Sequence, residues 1–347
     1  MSIGWAILGT SGFPDEKVAP ALNLADDCEL IAVMSRDAAR AKEFAAKHDA
    51  QVGYDSVDAV LSDSRVDAVY IANRNHLHAP HAILALQAGK HVFMEKPIAF
   101  NFADGVEVVK ASESSDSKLG VGFELRQHPG RIESKELILA GTIGTIALAQ
   151  AQFGSGVRGN VHPKPRSGYS DWWVDPESSG GAFAMMALGI HCVDELRFML
   201  GQEVTEIAAV TDRQNDSQSL ENLATLCLRF SGGTIGTVTC GFRMPGFQNS
   251  VFLYGSDGKI IFNEAYPPHT LQGSMEISSQ MVNHTTSYER DGLILMQRQI
   301  ESFNQAIQHG HQPAATARDG LKAIQVIEAM IKSAATGTTV KLEPLDF

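Results

Sequence analysis

The sequence predicts an α/β protein in which a doubly wound parallel sheet is followed by a second, α+β domain. Three observations predict this fold class. Apolar runs alternate with helical patterns through about the first 120 residues, a glycine turn follows the first run, and strand patterns joined by short Gly turns fill much of the second half. Strands separated by helices pair in parallel, whereas strands joined by short turns pair antiparallel. The predicted domains are residues 1–123 and 124–347.

The N-terminal half contains predicted strands at 3–9, 29–35, 66–72, 91–95 and 118–123. Helices are expected between them, at 16–25, 38–48, after residue 56, at 77–88 and after residue 101. Asp37, Ser56 and Asn101 stand at the starts of three of these helices, where a short polar side chain caps the first turn. Gly89 is typical of the residue that ends a helix.

The second half begins with a predicted helix at 129–140, a strand at 145–153, a Gly/Pro-rich loop at 154–165 and a helix at 181–200. Strands follow at 204–211, 222–230, 234–242, 250–254 and 259–262, and helices at 293–309 and 319–335 close the chain. Leu226, Leu228 and Phe230 alternate with Thr, Cys and Arg, which predicts a sheet with two unlike faces.

Composition excludes several classes of function. The chain carries a formal net charge of −12 and has no basic stretch that could follow a phosphate backbone, so we expect no nucleic-acid partner. Because no apolar run approaches about 18 residues, we expect no membrane span. The first strand is predicted to begin at Ile3, so we expect no signal or transit peptide. Four widely separated cysteines indicate reduced thiols in a cytoplasmic protein rather than disulfides or zinc.

A glycine turn stands between the first strand and the first helix, where dinucleotide-binding folds hold a pyrophosphate. It comprises Gly9, Thr10, Ser11, Gly12 and Phe13. Ser stands at the second glycine position of the usual pattern and Pro at the third, so an ordinary strand-to-helix turn is the alternative. We expect backbone N–H groups and the helix N-terminus here to bind the cofactor diphosphate.

The second strand ends at Ser35 and Arg36, where an NAD enzyme usually has an acidic residue. A carboxylate would repel a 2′-phosphate, whereas Ser and Arg would bind it by charge-assisted hydrogen bonds. The sequence therefore favours NADP(H), with NAD(H) as the alternative. A solvated surface position is the alternative for Arg36.

Glu95, Lys96 and Pro97 lie at the end of a predicted inner strand, and active sites of open parallel sheets lie at such ends. A lysine there can hydrogen-bond a substrate hydroxyl, stabilise a developing alkoxide and transfer a proton.

An ordered set of motifs resembles the Gfo/Idh/MocA family, named for glucose–fructose oxidoreductase and inositol dehydrogenase. The set comprises Ile71-Ala72-x-x-Asn75-x-x-His78, Ala88-Gly89-Lys90-His91-Val92, Glu95-Lys96-Pro97, Phe123-Glu124-Leu125-Arg126 with Pro129, Trp172 followed by Gly180-Gly181, and Gly189-Ile190-His191 with Asp194. Within the family the sequence is most similar to the 1,5-anhydro-D-fructose reductase group, which likewise has Ser at the second glycine position.

The resemblance implies a Rossmann domain and a second domain with a large, open, mostly antiparallel sheet that often forms a subunit interface, as in a homodimer or homotetramer. It implies hydride transfer between the cofactor and a sugar, polyol or related cyclic alcohol or ketone. Lys96 and His191 match the catalytic residues, and a cis bond is expected at Pro97. The residues expected to contact the cofactor on this basis are Asn73, Arg74, Asn75, His78, Glu95, Lys96, Pro97, Arg126, Trp172 and Trp173.

One departure concerns the chemistry. The family usually has an Asp four residues before the catalytic His, and this chain has Ala187. Asp171, Tyr169 or His162 could substitute for it. Asn73 and Arg74 also replace a common Thr-Pro pair, and Arg74 could reach a phosphate or an acidic substrate. A non-catalytic NADP-binding regulator and a cofactor-assisted lyase are therefore alternatives, whereas a metal enzyme lacks a ligand cluster.

Overall fold

The structure is a computed structural model that describes residues 2–156, 179–213, 220–245, 249–264 and 271–345. Within these ranges, no helix is long and apolar enough to cross a membrane. The helices are α1 Ala19–Leu24, α2 Ala38–Lys47, α3 Val57–Ser62, α4 His78–Gln87, α5 Phe102–Glu113, α6 Pro129–Leu139, α7 Ile190–Leu200, α8 Ile294–His309 and α9 Ala317–Thr336. The strands are β1 Ile3–Leu8, β2 Cys28–Met34, β3 Val52–Tyr54, β4 Ala68–Ile71, β5 His91–Glu95, β6 Leu119–Gly122, β7 Ile146–Gly154, β8 Val204–Thr211, β9 Leu223–Phe230, β10 Ile235–Gly241, β11 Asn249–Gly255, β12 Gly258–Glu264, β13 Leu271–Ser279, β14 Asn283–Asp291 and β15 Val340–Lys341.

The first compact unit contains Met1–Glu124 and Leu293–Ile324. Its sheet has the order β3-β2-β1-β4-β5-β6, and every pair is parallel, as the fold-class prediction requires. Asp37, Ser56 and Asn101 cap α2, α3 and α5 as predicted. The predicted helix at 16–25 differs from the observed structure, because a π-helical turn at Pro14–Val18 precedes the short α1. Strand β3 has only three residues and escaped prediction.

An aromatic cluster explains why α8 belongs to the first unit. The ring centroids of Phe303 on α8 lie 5.8 Å from Trp5 and 5.2 Å from Phe93. The Trp5 indole N–H donates to Asn304 of the same helix at 3.2 Å. Residues far apart in the chain therefore share one core, and this unit differs in that respect from the predicted domain 1–123.

The second compact unit contains the described residues of 125–292 and the chain from Gln325 onward. Its nine-stranded sheet has the order β14-β13-β12-β11-β7-β10-β9-β8-β15 and is antiparallel except for the β7–β10 pair. This confirms the predicted large, mostly antiparallel sheet. On β9 the predicted alternation is also confirmed, because Leu226, Leu228 and Phe230 are buried whereas Cys227 and Arg229 are exposed.

Three strands of this sheet were absent from the sequence-based prediction. β14 is polar along its whole length and partly or fully exposed, so it carries no apolar alternation. On β13 only Met275 and Ile277 give the signal, and β15 has two residues. The predicted helix at 181–200 is confirmed from residue 190 onward as α7. It is preceded by a single π-helical turn at Met185–Gly189, which we call the wide turn.

Candidate active site

The glycine turn brings the end of β1 against the loop that follows β4. Gly9 has φ +127°, and a Cβ there would lie 2.7 Å from the Ala72 carbonyl oxygen, so only glycine fits without strain. Gly12 and Phe13 already belong to the first helical turn. The turn therefore directs backbone N–H groups at a position beside the carboxyl ends of β1 and β4.

A cavity of about 420 Å³ opens at the carboxyl ends of β1, β2 and β4. Its lining comprises Gly9, Thr10, Ser11, Met34, Ser35, Arg36, Asp37, Arg40, Asn73, Arg74, His76, Leu77 and His81. Three arginines and one carboxylate stand among these residues, which makes the cavity electropositive. An electropositive cavity beside a glycine turn and a helix N-terminus suits an anionic nucleotide.

The loop after β2 supplies one wall of this cavity. Asp37 accepts hydrogen bonds from the backbone N–H of Ala39 and Arg40, so its carboxylate is engaged as the cap of α2. The side chain of Arg36 is exposed at the cavity lining. The structure thus brings the predicted Ser35 and Arg36 together with the glycine turn.

Arg40 was missed by the sequence reasoning. Its guanidinium donates to the Thr10 hydroxyl at 2.9 Å and to the Thr10 carbonyl at 3.1 Å, which ties α2 to the glycine turn. A cation in the first turn of a helix opposes the helix dipole, and that was the available signal that Arg40 has a specific partner.

The loop after β4 supplies the opposite wall and holds polar atoms without a partner among the described residues. These atoms are the buried Asn73 Oδ1, Asn75 Nδ2 and His76 Nδ1. Asn75 is only 2% exposed. Buried polar groups in proteins are nearly always hydrogen-bonded, so these atoms fit a site whose ligand completes their hydrogen bonds.

Two imidazoles of this loop stay neutral near pH 7. Burial lowers the pKa of His76, and the charges of Arg74 and Arg36 lower it further. Burial likewise lowers the pKa of His81, whose Nδ1 accepts a hydrogen bond from Asn73 Nδ2 at 2.7 Å. The positive charge of the cavity therefore comes from its arginines rather than from its histidines.

His78 connects the loop after β4 to the segment after β5. Its ring is buried, and burial lowers the pKa of His78 to about 4. A neutral imidazole carries one N–H, and the 2.6 Å contact of Nδ1 with the Pro97 carbonyl makes Nδ1 the donor. The Lys96–Pro97 peptide bond is cis, as expected. Its Nε2 lies 3.2 Å from the Asn73 carbonyl oxygen, so both ring nitrogens face the backbone and His78 ties the loop after β4 to the segment beside Lys96.

A buried hydrogen-bonded relay supports Glu95. The Tyr70 hydroxyl donates to Glu95 Oε1 at 2.7 Å and accepts from Gln299 Nε2 at 3.2 Å. Burial and the neighbouring Glu95 charge raise the pKa of Tyr70, which therefore remains a donor at any physiological pH. Lys96 follows at the end of β5 and is half-buried. The sequence reasoning missed Tyr70 and Gln299, which lie 229 positions apart.

The second unit carries the other predicted catalytic residue. His191 lies in the first turn of α7, is 1% exposed, and its ring centroid lies 5.7 Å from that of Phe153. Arg126, predicted as a cofactor contact, forms a buried bidentate ion pair with Asp194 of α7 at 2.8 and 2.6 Å. Its cofactor role stays a prediction, and the observed contact is to the helix that carries His191.

Several predictions fall outside the described residues. They concern Trp172 and Trp173, and also Asp171, Tyr169 and His162, which were considered as substitutes for the family Asp. Among the described residues, no group of three or more potential ligands could hold a metal ion.

Comparison with known proteins defines the class and then the family. Residues 3–123 match the oxidoreductase family with an NAD-binding Rossmann fold, which is the class that the parallel sheet and glycine turn also define. Residues 132–261 match the GFO/IDH/MocA C-terminal domain. The chain belongs to the Gfo/Idh/MocA family.

Similar proteins span nearly the whole chain. The 1,5-anhydro-D-fructose reductase of Ensifer adhaerens is 27% identical, with 98% of each chain covered. The D-xylose 1-dehydrogenase (NADP(+)) 2 of Haloferax volcanii is 28% identical, with 98% of this chain and 99% of the relative covered. The crystal structure of an aldose-aldose oxidoreductase from Caulobacter crescentus complexed with glycerol superposes with a TM-score of 0.84 at 25% identity, and 99% of this chain and 100% of that chain are covered.

Proposed function

We propose that this oxidoreductase transfers a hydride between NADP(H) and a carbon bearing a hydroxyl or carbonyl group in a sugar, a polyol or a related cyclic compound. Similar proteins whose names specify a sugar-derived substrate, namely 1,5-anhydro-D-fructose and D-xylose, support the substrate class. The relative that acts on D-xylose is also named for NADP(+), which supports the choice of cofactor.

One feature of the first unit carries the assignment of NADP(H). Arg36, Arg40 and Arg74 line the cavity at the end of β2, where an NAD enzyme would present a carboxylate to the ribose. The one carboxylate in the lining, that of Asp37, caps α2 through its Oδ1 atom. A 2′-phosphate would gain charge-assisted hydrogen bonds from the arginines.

The remaining cofactor contacts follow from the same unit. The glycine turn from Gly9 to Phe13 would hold the diphosphate. Asn73 Oδ1 and Asn75 Nδ2 are buried without a hydrogen-bond partner among the described residues, and the cofactor would supply one. Glu95, held by Tyr70, would face the nicotinamide ribose. When bound, the cofactor supplies or accepts the hydride.

Lys96 and His191 would transfer the proton to and from the substrate oxygen. During reduction the Lys96 ammonium group donates a hydrogen bond to the substrate carbonyl oxygen and stabilises the negative charge that develops there. Lys96 and His191 together then return a proton to that oxygen, and in oxidation they accept it. His78 keeps the backbone beside Lys96 in place through its hydrogen bond to Pro97.

The cofactor assignment is tested by the affinities of NADPH and NADH for the wild type and for Arg36→Ala. Removal of a charge-assisted hydrogen bond costs about 1.5–3 kcal/mol, so the Kd of NADPH should rise roughly 10- to 100-fold. NADH lacks the 2′-phosphate, and its Kd should change less than about 3-fold. Arg65→Ala is the matched control, because Arg65 precedes β4 and therefore lies at the amino end of the parallel strands, opposite the end where the cavity opens. An unchanged affinity for NADPH in Arg36→Ala would remove the assignment.

The reaction is tested with NADP⁺ and NADPH against sugars, inositols, deoxy-keto sugars and aromatic diols. Lys96→Ala should lower kcat by about 10²–10⁴-fold on any substrate that turns over. Lys110→Ala is the control, since Lys110 is exposed and pairs with Glu107 on α5. Tight NADPH binding with no turnover of the whole panel would instead support the regulator, which Ala187 favours, and substrate loss without net NADPH change would support a lyase.

We also propose that the exposed face of the nine-stranded sheet forms the interface of a homodimer or homotetramer. Cys227 lies on that face and is exposed, whereas Cys28 is half-buried and Cys192 and Cys240 are buried. Alkylation of the native protein, measured at Cys227 by peptide mass spectrometry, should therefore report the interface. Slow labelling of Cys227 in the assembled protein, and fast labelling on dilution to the monomer, is the expected result. Fast labelling at every concentration would contradict it.

A further inference from the structure

Glu221 is a buried acidic residue that the proposed reaction does not use. It lies just before β9 and is 5% exposed. Both oxygens of its carboxylate accept the backbone N–H of Phe183, each at 3.0 Å, and Oε1 also accepts the N–H of Met185 at 2.8 Å. Its carboxylate thus binds the start of the segment that leads to His191.

Two further contacts fix the same end of this segment. The backbone N–H of Ala184 donates to the Glu221 carbonyl at 3.3 Å. The ring of Phe183 stacks on that of Phe242 with centroids 4.7 Å apart, and the Phe242 N–H donates to the Asn222 carbonyl. The first turn of the segment is therefore attached to the adjoining ends of β9 and β10.

Between this attachment and His191 the chain forms the wide turn Met185–Gly189. Such turns are rare and are frequently found at functional sites. Gly189 packs closely against β10, because a Cβ there would lie 2.2 Å from Met185 Sδ and 2.8 Å from Cys240 Sγ. With Gly189 held at one end and Phe183 at the other, the carboxylate of Glu221 helps to determine where α7 begins.

The electrostatic surroundings of Glu221 are unfavourable to its charge. Burial raises the pKa of Glu221 to about 7 although three N–H bonds oppose this, and the carboxylate of Asp212 raises it further. Asp212 is itself bound by the N–H groups of Asn222 and Leu223 and by Arg243. The buried thiol of Cys240 is a further titratable neighbour of Glu221. Burial of this charge is therefore costly, and the N–H bonds to residues 183 and 185 offset part of that cost.

We propose that Glu221 is a positioning residue for His191, acting through the backbone of residues 183–190. This inference rests on the proposed function, in which His191 handles the proton. The ionised carboxylate accepts N–H bonds more strongly than a neutral group does. The hold on the segment is consequently strongest above neutral pH and weakens as Glu221 takes up a proton.

The test compares the wild type with Glu221→Gln, using the imidazole NMR signal of His191, assigned with His191→Asn. We expect the His191 signal to shift or broaden in Glu221→Gln while other histidine signals stay in place. At pH 8 the thermal midpoint should change little, because Gln removes a buried charge but also replaces one of the two oxygens that accept the Phe183 N–H by an N–H donor. On a substrate that turns over, kcat should fall roughly 10-fold or more with KM changed less than about 3-fold. Glu276→Gln is the control, since Glu276 is partly exposed and pairs with Lys259.

The outcomes separate the two proposals. An unchanged His191 signal in Glu221→Gln overturns the positioning role whatever the activity. A shifted signal in a protein that turns over no substrate supports the positioning role and refutes the proposed reaction. Glu221→Asp, which keeps the charge on a shorter side chain, should give a smaller shift of the same signal. It provides the same comparison if the Gln variant fails to fold, and an unshifted signal there also overturns the inference.

Discussion

Tyr70→Phe removes one hydroxyl from the relay beneath Glu95 and leaves the ring in place. Tyr70 is fully buried, its hydroxyl donates to Glu95, and it accepts from Gln299. The Gln299 Oε1 atom already lacks a partner among the described residues, so loss of the Tyr70 contact isolates its amide further. Each buried polar group that loses its partner costs about 1–3 kcal/mol. We expect a destabilisation of about 2 kcal/mol, or roughly 4–8 °C in Tm.

Differential scanning calorimetry measures this change, and Tyr54→Phe is the matched control. The Tyr54 hydroxyl also donates to a carboxylate, that of Asp63 at 3.1 Å, but Tyr54 is only partly buried. Its removal should cost no more than about 0.5 kcal/mol. The Kd of NADPH should rise in Tyr70→Phe alone, because Glu95 loses a support. If the two variants melt at the same temperature, the relay is not what holds Glu95.

Two further predictions concern the cofactor cavity. Gly9→Ala should destabilise the protein by more than about 1 kcal/mol, since the φ of +127° at Gly9 and the nearby Ala72 carbonyl exclude a Cβ. Gly12→Ala is the control: a Cβ at Gly12 would have nothing within 4 Å, so this variant should have the same Tm as the wild type. NADPH should bind more tightly as the pH falls below 6.5, because His76 is neutral in the free protein and a bound phosphate favours its protonated form. Calorimetric titrations at several pH values should show this trend in the wild type and no pH dependence in His76→Asn. An affinity of the wild type that does not change with pH would place the phosphate away from His76.

The elements that the sequence predicted well are those whose signal is local. The middle three residues of β5, Val92 to Met94, form one apolar run, and Asp37 caps α2 by accepting from N–H groups two and three positions further along the chain. The glycine turn is equally local, because the conformation of Gly9 belongs to the turn itself. Spacing alone was enough to place Lys96 at the carboxyl end of an inner strand.

The parts that escaped prediction depend on partners distant in the chain. Arg40 reaches Thr10 across 30 positions, and Tyr70 reaches Gln299 across 229. The grouping of α8 with the first unit rests on contacts of Phe303 with Trp5 and Phe93. Hydrophobic periodicity reports which face of a helix is buried but not which sheet buries it. The polar edge strand β14 gives no periodic signal at all.

The family Asp that this chain lacks can be restored, and the result would show how the proton-transfer group is tuned. Ala187 lies in the wide turn four residues before His191 and is half-buried, so a larger polar side chain has access to solvent. A carboxylate one helical turn before an imidazole stabilises the imidazolium form. We therefore expect Ala187→Asp to move the acidic limb of the kcat/KM profile upward by about 0.5–1 pH unit, which corresponds to about 0.7–1.4 kcal/mol.

Ala187→Asn is the control that separates charge from shape, because its side chain has nearly the same size and no charge. It should leave the acidic limb where the wild type has it, whereas Ala187→Asp should not. Superimposable profiles for the two variants would mean that a carboxylate at 187 does not couple to the proton-transfer group. In that case the wide turn at Met185–Gly189 has rotated this position away from His191. The carboxylate of Glu221, held at the start of the same segment, would then be the acidic group through which the position of His191 is set.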